Sequence, residues 1–169
     1  RPARPRAPAR AGTRGEAAPA AVTAPGRLEV VRSSPTVLVD AAHNAAGAEA
    51  LATALGEAFD LRHLVGVVAI MADKDAEPLL AALEPVLAEI VVTRNSSERS
   101  ADPTELAELA ADVFGEDRLH STERLDEALQ VAVDLVERDD AVGVGTGTGV
   151  LVTGSVVTVA DARVLLGRG

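Results

Sequence analysis

The sequence predicts a three-layer α/β domain with a mainly parallel β-sheet and helices on both of its faces. Short apolar runs rich in β-branched residues alternate with helical patterns of ten or more residues, as in βαβ units. Hydrophobic residues make up 47% of the 169 residues, enough to build a core. Polar residues follow directly after several of the apolar runs, where open α/β sheets commonly bind ligands.

Residues 1–24 are predicted to be a disordered tail or linker, and residues 25–169 the folded domain. The first segment consists mostly of Arg, Pro, Ala and Gly without periodicity, and cannot bury enough surface to offset its ordering entropy. It carries five Arg and one Glu, whereas the whole chain has a net charge of −10. A basic arm for phosphate or membrane is the less favoured interpretation. Because the chain begins with Arg1, we expect a fragment or a processed product.

The first elements are two strands and a helix. Residues 28–31 form a short strand, residues 33–35 a turn, and residues 36–39 a second strand. The second strand is apolar on both faces, which favours a buried parallel strand over a hairpin edge. Asn44 is a good N-cap for the helix that follows. The apolar positions of this helix are Ala48, Leu51, Ala52, Leu55 and Ala58.

Two further strand–helix pairs occupy the middle of the chain. A strand over residues 64–70 precedes a helix capped by Asp75, with Pro78 in its first turn. Pro85 disrupts that helix, and residues 90–93 form the next strand. After a polar loop at 94–101, Asp102 caps a helix that has a proline at its first position and Glu105 at its third. The inner positions of the two helices are Leu79, Leu80 and Leu83, then Leu106, Leu109, Ala110 and Val113.

The last third repeats the alternation. Gly115 ends the preceding helix, residues 119–121 form a short strand, and Thr122 caps another helix. A glycine-rich loop at 143–149 leads into a strand at 150–153. By propensity, residues 156–159 favour strand and residues 160–166 favour helix. The inner positions of the helix after Thr122 are Leu125, Ala128, Leu129, Ala132 and Val136.

Chemically useful residues are predicted to gather at one edge of the sheet. The carboxyl ends of parallel strands lie along a common edge, so the loops that follow them share it. This edge is therefore the candidate site. The segments that follow strands are residues 40–43, 73–75, 93–94 and 153–155.

Individual residues at this edge have two interpretations each. Lys74, the only lysine, could bind a carboxylate or phosphate, but taken alone it is better explained as a solvated loop charge. Asp40 could hold ribose hydroxyls or merely cap its turn. His43 could contact a phosphate or nucleobase, act in catalysis, or pack against the turn. His63 and His120 are expected to lack partners, and no metal cluster is predicted from the histidine spacing.

Composition and motifs exclude several functions. The chain has no cysteine for thiolate sites and only two aromatic residues, so base-stacking nucleic-acid binding is disfavoured. No apolar run is long enough for a membrane span and no signal peptide is visible, so we expect a cytoplasmic protein. Neither GxGxxG nor a P-loop is present, and the 145–149 glycines follow a helix rather than a strand. Ser155 lacks the context of a hydrolase nucleophile.

Four segments in order resemble one family, the bifunctional dihydrofolate synthase/folylpolyglutamate synthases of the Mur ligase superfamily. The resemblance is to their C-terminal domain and runs from about Ala21 to the end. One departure is Ala45, where the family usually has a proline. The Ala- and Arg-rich composition resembles that of high-GC actinobacterial proteins. The four segments are Pro25-Gly26-Arg27-Leu28-Glu29, Asp40-Ala41-Ala42-His43-Asn44, Met71-Ala72-Asp73-Lys74-Asp75 and Val152-Thr153-Gly154-Ser155.

The resemblance implies a Rossmann-like domain of an ATP- and Mg²⁺-dependent amide ligase. In such enzymes a dihydropteroate or folate carboxylate is phosphorylated, and the amine of L-glutamate attacks the acyl phosphate. The P-loop and most Mg²⁺ ligands belong to a domain that this sequence lacks, so the chain alone is expected to be inactive. The resemblance also places a helix from about Val156, after the Val-Thr-Gly-Ser segment.

The resemblance assigns expected roles to the residues of the edge. No catalytic residue is certain, His43 being the candidate, and no metal ligand is expected. The Thr93–Arg99 loop is expected to face the substrate. The expected ATP contacts are Arg27, Asp40, His43 and Asn44, and the expected glutamate-side residues are Asp73, Lys74, Arg99 and Ser155.

Two alternatives remain open from the sequence. One is a Mur-type ligase domain that acts on cell-wall precursors. The other is a non-catalytic α/β remnant or interaction module.

Overall fold

The computed structural model describes residues 27–139 and 147–167. The predicted tail at 1–24 and most of the predicted loop at 143–149 lie outside these residues. The strands are β1 (Glu29–Ser33), β2 (Thr36–Val39), β3 (His63–Val68), β4 (Glu89–Val92), β5 (Leu119–Ser121) and β6 (Thr148–Thr153). The helices are α1 (Ala45–Ala58), α2 (Ala76–Leu83), α3 (Pro103–Phe114), α4 (Leu125–Asp139) and α5 (Val156–Leu165), with 3₁₀ turns at Glu84–Val86 and Glu116–Arg118.

The described strands form one sheet in the order β1-β2-β6-β3-β4-β5. All neighbouring pairs are parallel except β1 and β2, so the prediction of a mainly parallel α/β fold is confirmed. The prediction that β2 is a buried parallel strand rather than a hairpin edge is confirmed, because β2 lies between β1 and β6 and pairs parallel with β6. On its other side β2 pairs antiparallel with β1. Only two residues separate β1 from β2, and such a short connection cannot place them parallel.

Strand side chains alternate between two cores, one on each face of the sheet. Leu38, Val68 and Leu151 pack with α1, α2 and α3. Val39, Val67 and Val152, their neighbours in sequence, pack with α4 and α5. Both faces are therefore covered, as buried parallel strands require.

Helix faces largely match their predicted stripes, with two exceptions. Leu79, Leu80 and Leu83 are fully buried. Leu109 is 37% exposed and Ala58 is exposed, contrary to prediction. Phe114 is buried at the end of α3 and packs in the core that Leu109 was expected to join.

Of the four predicted N-cap residues, two are confirmed and two make no cap bond. Asn44 accepts a hydrogen bond from the Gly47 amide, and Asp102 accepts one from Thr104, so both are N-caps. Asp75 precedes α2, but its side chain makes no cap bond. Thr122 is not a cap: its hydroxyl donates to Thr93 Oγ1, or to a loop carbonyl, and α4 begins three residues later.

The helix predicted by resemblance after residue 155 is present as α5. Ser155 is its N-cap and accepts a hydrogen bond from the Thr158 amide. The β-propensity of residues 156–159 is overridden because Val159 and Ala162 bury their side chains against the sheet. In the two described ranges, no helix combines the length and apolar character needed to cross a bilayer.

Arg118 joins α3 to the turn before β4. Its guanidinium donates to the carbonyls of Ala88 (3.0 Å), Leu87 (2.6 Å) and Glu84 (3.2 Å). It also pairs with the Glu84 carboxylate at 2.7 Å and lies 5.1 Å from the centre of the Phe114 ring. The planar guanidinium, with its five N–H donors, can reach all of these oxygen acceptors at once, and a lysine ammonium cannot.

We therefore expect Arg118→Lys to lower the free energy of unfolding by about 1–2 kcal/mol. Arg124→Lys is the matched control, because Arg124 is 70% exposed and contacts mainly Asp126. That control should change stability by less than about 0.5 kcal/mol. Urea unfolding followed by circular dichroism measures both. Equal effects of the two substitutions would contradict the structural role of Arg118.

Candidate functional site

The loops after β3 and β4 are joined at the carboxyl edge of the sheet. The Ala72 amide donates to the Arg99 carbonyl at 2.7 Å, and the Ala101 amide donates to the Ile70 carbonyl at 2.7 Å. An isolated bridge pairs Met71 with Ser100. These contacts hold residues 71–75 and 94–101 beside one another, as their positions after neighbouring parallel strands predicted.

Asp40 organises the turn after β2 with both carboxylate oxygens. Oδ2 accepts from the Leu28 amide at 2.7 Å, and Oδ1 accepts from the Ala42 amide at 2.8 Å. The Asp40 amide itself donates to the Val152 carbonyl at 3.0 Å. The capping role considered for Asp40 is thus present. Each carboxylate oxygen has a further lone pair, and the residue is only half-buried, so a ligand hydroxyl can still reach it.

His43 and Asn44 lie exposed just beyond Asp40. His43 Nδ1 is 3.1 Å from the Ala41 carbonyl oxygen, which fixes Nδ1 as the protonated nitrogen. In the neutral ring Nε2 is then an acceptor, and in the imidazolium it is a donor that suits phosphate. Asn44 Oδ1 is engaged as the α1 cap, and the Nδ2 group of this exposed side chain is still able to donate to a ligand.

Lys74 and Arg99 present two exposed cations on the joined loops. Arg99 Nη2 lies 3.3 Å from Asp73 Oδ2, and the two side chains are 72% and 54% exposed. The Lys74 amide donates to the Met71 carbonyl, which fixes the backbone of the loop. Among the described residues, no ion pair occupies the Lys74 ammonium, which leaves it available to an anionic ligand.

Asn95 is the residue that sequence reasoning missed. It is 5% exposed, and its Nδ2 donates to Ser155 Oγ at 3.2 Å and to Thr158 Oγ1 at 3.1 Å. Its Oδ1 accepts from the Ser97 amide, and its own amide donates to Ser100 Oγ. The only sequence signal was a polar residue two positions after a buried strand, within a loop treated as generally polar.

Ser155 is buried, and its hydroxyl belongs to this network. It is 4% exposed and accepts from both Asn95 and the Thr158 amide. Thr158 Oγ1 donates in turn to the Ala69 carbonyl at 2.8 Å. Ser155 therefore positions the start of α5 beneath the surface of the edge, rather than presenting a free hydroxyl.

Gly154 permits the close approach of β6 to β3. Its φ of +120° lies in the region that side chains rarely adopt, and an added Cβ would lie 2.2 Å from the Ala69 carbonyl oxygen. The glycine of the Val-Thr-Gly-Ser segment is thus required by packing.

A cleft of about 400 Å³ opens next to the Asn95 loop. Its wall includes the cations Arg94 and Arg124 and the carboxylates Asp126 and Asp161, of which Arg124 and Asp126 pair with each other. Asp161 accepts from the Ser96 amide and hydroxyl, at 2.7 and 2.9 Å, which attaches the loop to α5. The cleft and the Asp40 turn lie at the same edge but after different strands.

The expectation that His63 and His120 lack partners was wrong. His63 Nε2 lies 3.4 Å from Glu89 Oε2, and His120 Nε2 lies 3.1 Å from Glu89 Oε1. His63 also contacts Asp139. These residues come from four separate elements, so spacing along the sequence could not group them. They lie at the opposite edge of the sheet, where β3 and β4 begin.

The fold and the polar edge define the class: a mainly parallel α/β domain with helices on both faces and polar loops at its carboxyl edge. The family model described as "Mur ligase, glutamate ligase domain" matches residues 26–155. The chain therefore belongs to the Mur ligase family.

Particular relatives sharpen this assignment. The chain is 51% identical over 154 residues to the dihydrofolate synthase/folylpolyglutamate synthase of Mycobacterium tuberculosis, covering 88% of this chain and 32% of the relative. A solved M. tuberculosis folylpolyglutamate synthase complexed with ADP matches with a TM-score of 0.84 at 51% identity, over 87% of this chain and 33% of that one.

A second solved structure is more distant in sequence. A bifunctional folylpolyglutamate synthase/dihydrofolate synthase with Mn, AMPPNP and L-glutamate bound matches with a TM-score of 0.67 at 26% identity, over 86% of this chain and 32% of that one. The chain thus spans about a third of the length of each of these relatives.

We expect Gly154→Ala to destabilise the domain by about 3 kcal/mol, because it combines a positive φ with a clash against backbone. Gly56→Ala is the matched control: Gly56 lies in α1, and nothing lies within 4 Å of its added Cβ. That control should stabilise the domain by up to about 1 kcal/mol. Thermal unfolding of both variants measures the difference. A Gly154→Ala variant as stable as the parent would disprove the close approach of β6 to β3.

Proposed function

We propose that this chain is the C-terminal domain of an ATP-dependent amide ligase that adds L-glutamate to dihydropteroate or folate. The observation that carries the proposal is the 51% identity, over 88% of the chain, to a relative named dihydrofolate synthase/folylpolyglutamate synthase. The chain spans a third of that relative, so it would contribute one side of the active site. ATP-dependent ligation of glutamate also agrees with a cytoplasmic location, which we propose with it.

The Asp40 turn fits the nucleotide side of such a site. Asp40 is held by two backbone amides, so its carboxylate is already oriented when a ribose hydroxyl approaches. His43 and Arg27 are exposed beside it and can donate to phosphate oxygens. Asn44 supports the turn by capping α1 through Oδ1, and its exposed Nδ2 can donate to the nucleotide.

The joined loops fit the glutamate side. Lys74 offers a point charge to a carboxylate of the incoming amino acid, and the Asp73–Arg99 pair flanks it. Ser155 is too buried to contact glutamate, and we propose that it acts by holding the loop through Asn95.

Another domain would bind the phosphates of ATP and promote phosphoryl transfer. No P-loop occurs in the sequence, and the His/Asp/Glu cluster that the described residues form lies at the opposite edge. ATP and Mg²⁺ would be held mainly by the domain that carries a P-loop, and this chain would cover the nucleotide and orient glutamate. Charge stabilisation at the phosphates dominates phosphoryl transfer, so the chain alone should not turn over.

A domain exchange tests the proposal. Residues 27–167 replace the matching domain of the M. tuberculosis relative, and ADP release is followed with dihydropteroate and L-glutamate. We expect the exchanged enzyme to be active and the chain alone to be inactive. Lys74→Gln should raise the KM for glutamate about tenfold or more, because a charged hydrogen bond is lost.

Arg32→Gln is the matched control for loss of one positive charge, since Arg32 is exposed on β1 near the start of β2. It should leave the KM for glutamate unchanged. Turnover with a different amino acid and a cell-wall precursor instead of glutamate would favour the Mur-type alternative. A folded but inactive exchange would favour the non-catalytic one.

A further inference from the structure

A mixed cluster of titratable side chains lies at the edge of the sheet opposite the candidate site. His63 begins β3, Glu89 begins β4, and Asp139 ends α4. One ligand-type atom from each lies within 4.8 Å of the other two. The cluster is independent of the proposed ligase function, because none of these residues lies near the Asp40 turn or the joined loops.

Two buried atoms of the cluster face each other without a hydrogen bond. His63 Nε2 and Asp139 Oδ2 are 2.6 Å apart, yet within the described ranges neither makes a hydrogen bond, to the other or to any further group. Both atoms are buried, and their ion-pair contact is not matched by a hydrogen bond, which is costly for buried polar atoms. A cation that accepts the lone pairs of both atoms satisfies them together.

The third residue is oriented from behind. Glu89 Oε2 lies 3.4 Å from His63 Nε2, while Glu89 Oε1 lies 3.1 Å from His120 Nε2. One carboxylate oxygen thus faces the cluster, and the other is held by a second imidazole. Such an outer partner is the usual support of a metal-bound carboxylate.

We propose that His63, Glu89 and Asp139 bind a divalent transition-metal ion of the Zn²⁺ type, with His120 as the positioning residue for Glu89. An imidazole nitrogen with two carboxylate oxygens suits Zn²⁺, whereas Mg²⁺ and Ca²⁺ prefer oxygen ligands alone. Bonds of about 2.0–2.1 Å place tetrahedral ligands about 3.3 Å apart. The His63–Glu89 distance already matches, and Asp139 needs to retreat by less than about 1 Å.

The site has a structural consequence. The ion would attach the end of α4 to the beginnings of two neighbouring strands, β3 and β4. Three protein ligands leave a fourth position for water or a small ligand. The two carboxylates beside one imidazole also explain why a cation is favoured there over a further anion.

The test is Zn²⁺ binding by the untagged, EDTA-treated chain. Isothermal titration with ZnCl₂ at pH 7.5 should give one ion per chain with a Kd of micromolar or tighter, and Zn²⁺ should raise the melting temperature. MgCl₂ should not compete. His63→Gln and Asp139→Asn should each weaken binding at least 100-fold, and His120→Gln about 10–100-fold. Circular dichroism of the metal-free variants checks that each one folds.

His43→Gln is the matched control, because it removes the third histidine of the chain, which lies at the other edge. It should bind Zn²⁺ as the parent does. Absence of Zn²⁺ uptake by the parent chain overturns the proposal without recourse to any variant. Equal affinity of the parent and the His63→Gln variant, or loss of binding in the His43→Gln variant, also overturns it.

Discussion

The buried amide of Asn95 is the interaction on which the carboxyl edge depends. It links the loop after β4 to the start of α5 through Ser155 and Thr158, and Thr158 continues to the end of β3 at Ala69. Every member of this network is buried, so it tolerates little rearrangement. Gly154 allows the same approach from the backbone side. The exposed residues of the joined loops, including Lys74 and Arg99, are therefore supported by a tightly packed buried network.

The two edges of the sheet have different chemistry. The carboxyl edge collects one carboxylate held by amides, an exposed histidine and free cations, a combination suited to a nucleotide and an anionic amino acid. The amino edge collects two imidazoles and two carboxylates, and His63, Glu89 and Asp139 hold their ligand-type atoms within 4.8 Å of one another. Since the chain spans about a third of the relative's length, we propose the carboxyl edge as one wall of a larger site.

Local patterns predicted the layers of the fold, because apolar alternation and capping residues such as Asn44 and Asp102 act over a few positions. The family resemblance predicted α5 as one helix, whereas propensity alone predicted a strand followed by a helix in this segment. What failed depended on contacts distant in sequence. The burial of Phe114 in place of Leu109 and the hydrogen bond between Thr122 and Thr93 arise only after the strands are ordered. Asn95 and the His63 cluster were missed for the same reason, since Ser155 lies 60 residues from Asn95, and Glu89 and Asp139 lie on other elements than His63.

The central claim is that the Asp40 turn forms the nucleotide wall of a glutamate ligase. The most direct measurement is the KM for ATP of the domain-exchanged enzyme carrying Asp40→Asn, with melting curves that confirm folding. The substitution keeps the size of the side chain but removes the charge that the Leu28 and Ala42 amides orient. We expect the KM for ATP to rise about tenfold or more, and the KM for glutamate to change less than about twofold. A folded variant with an unchanged KM for ATP would contradict the account.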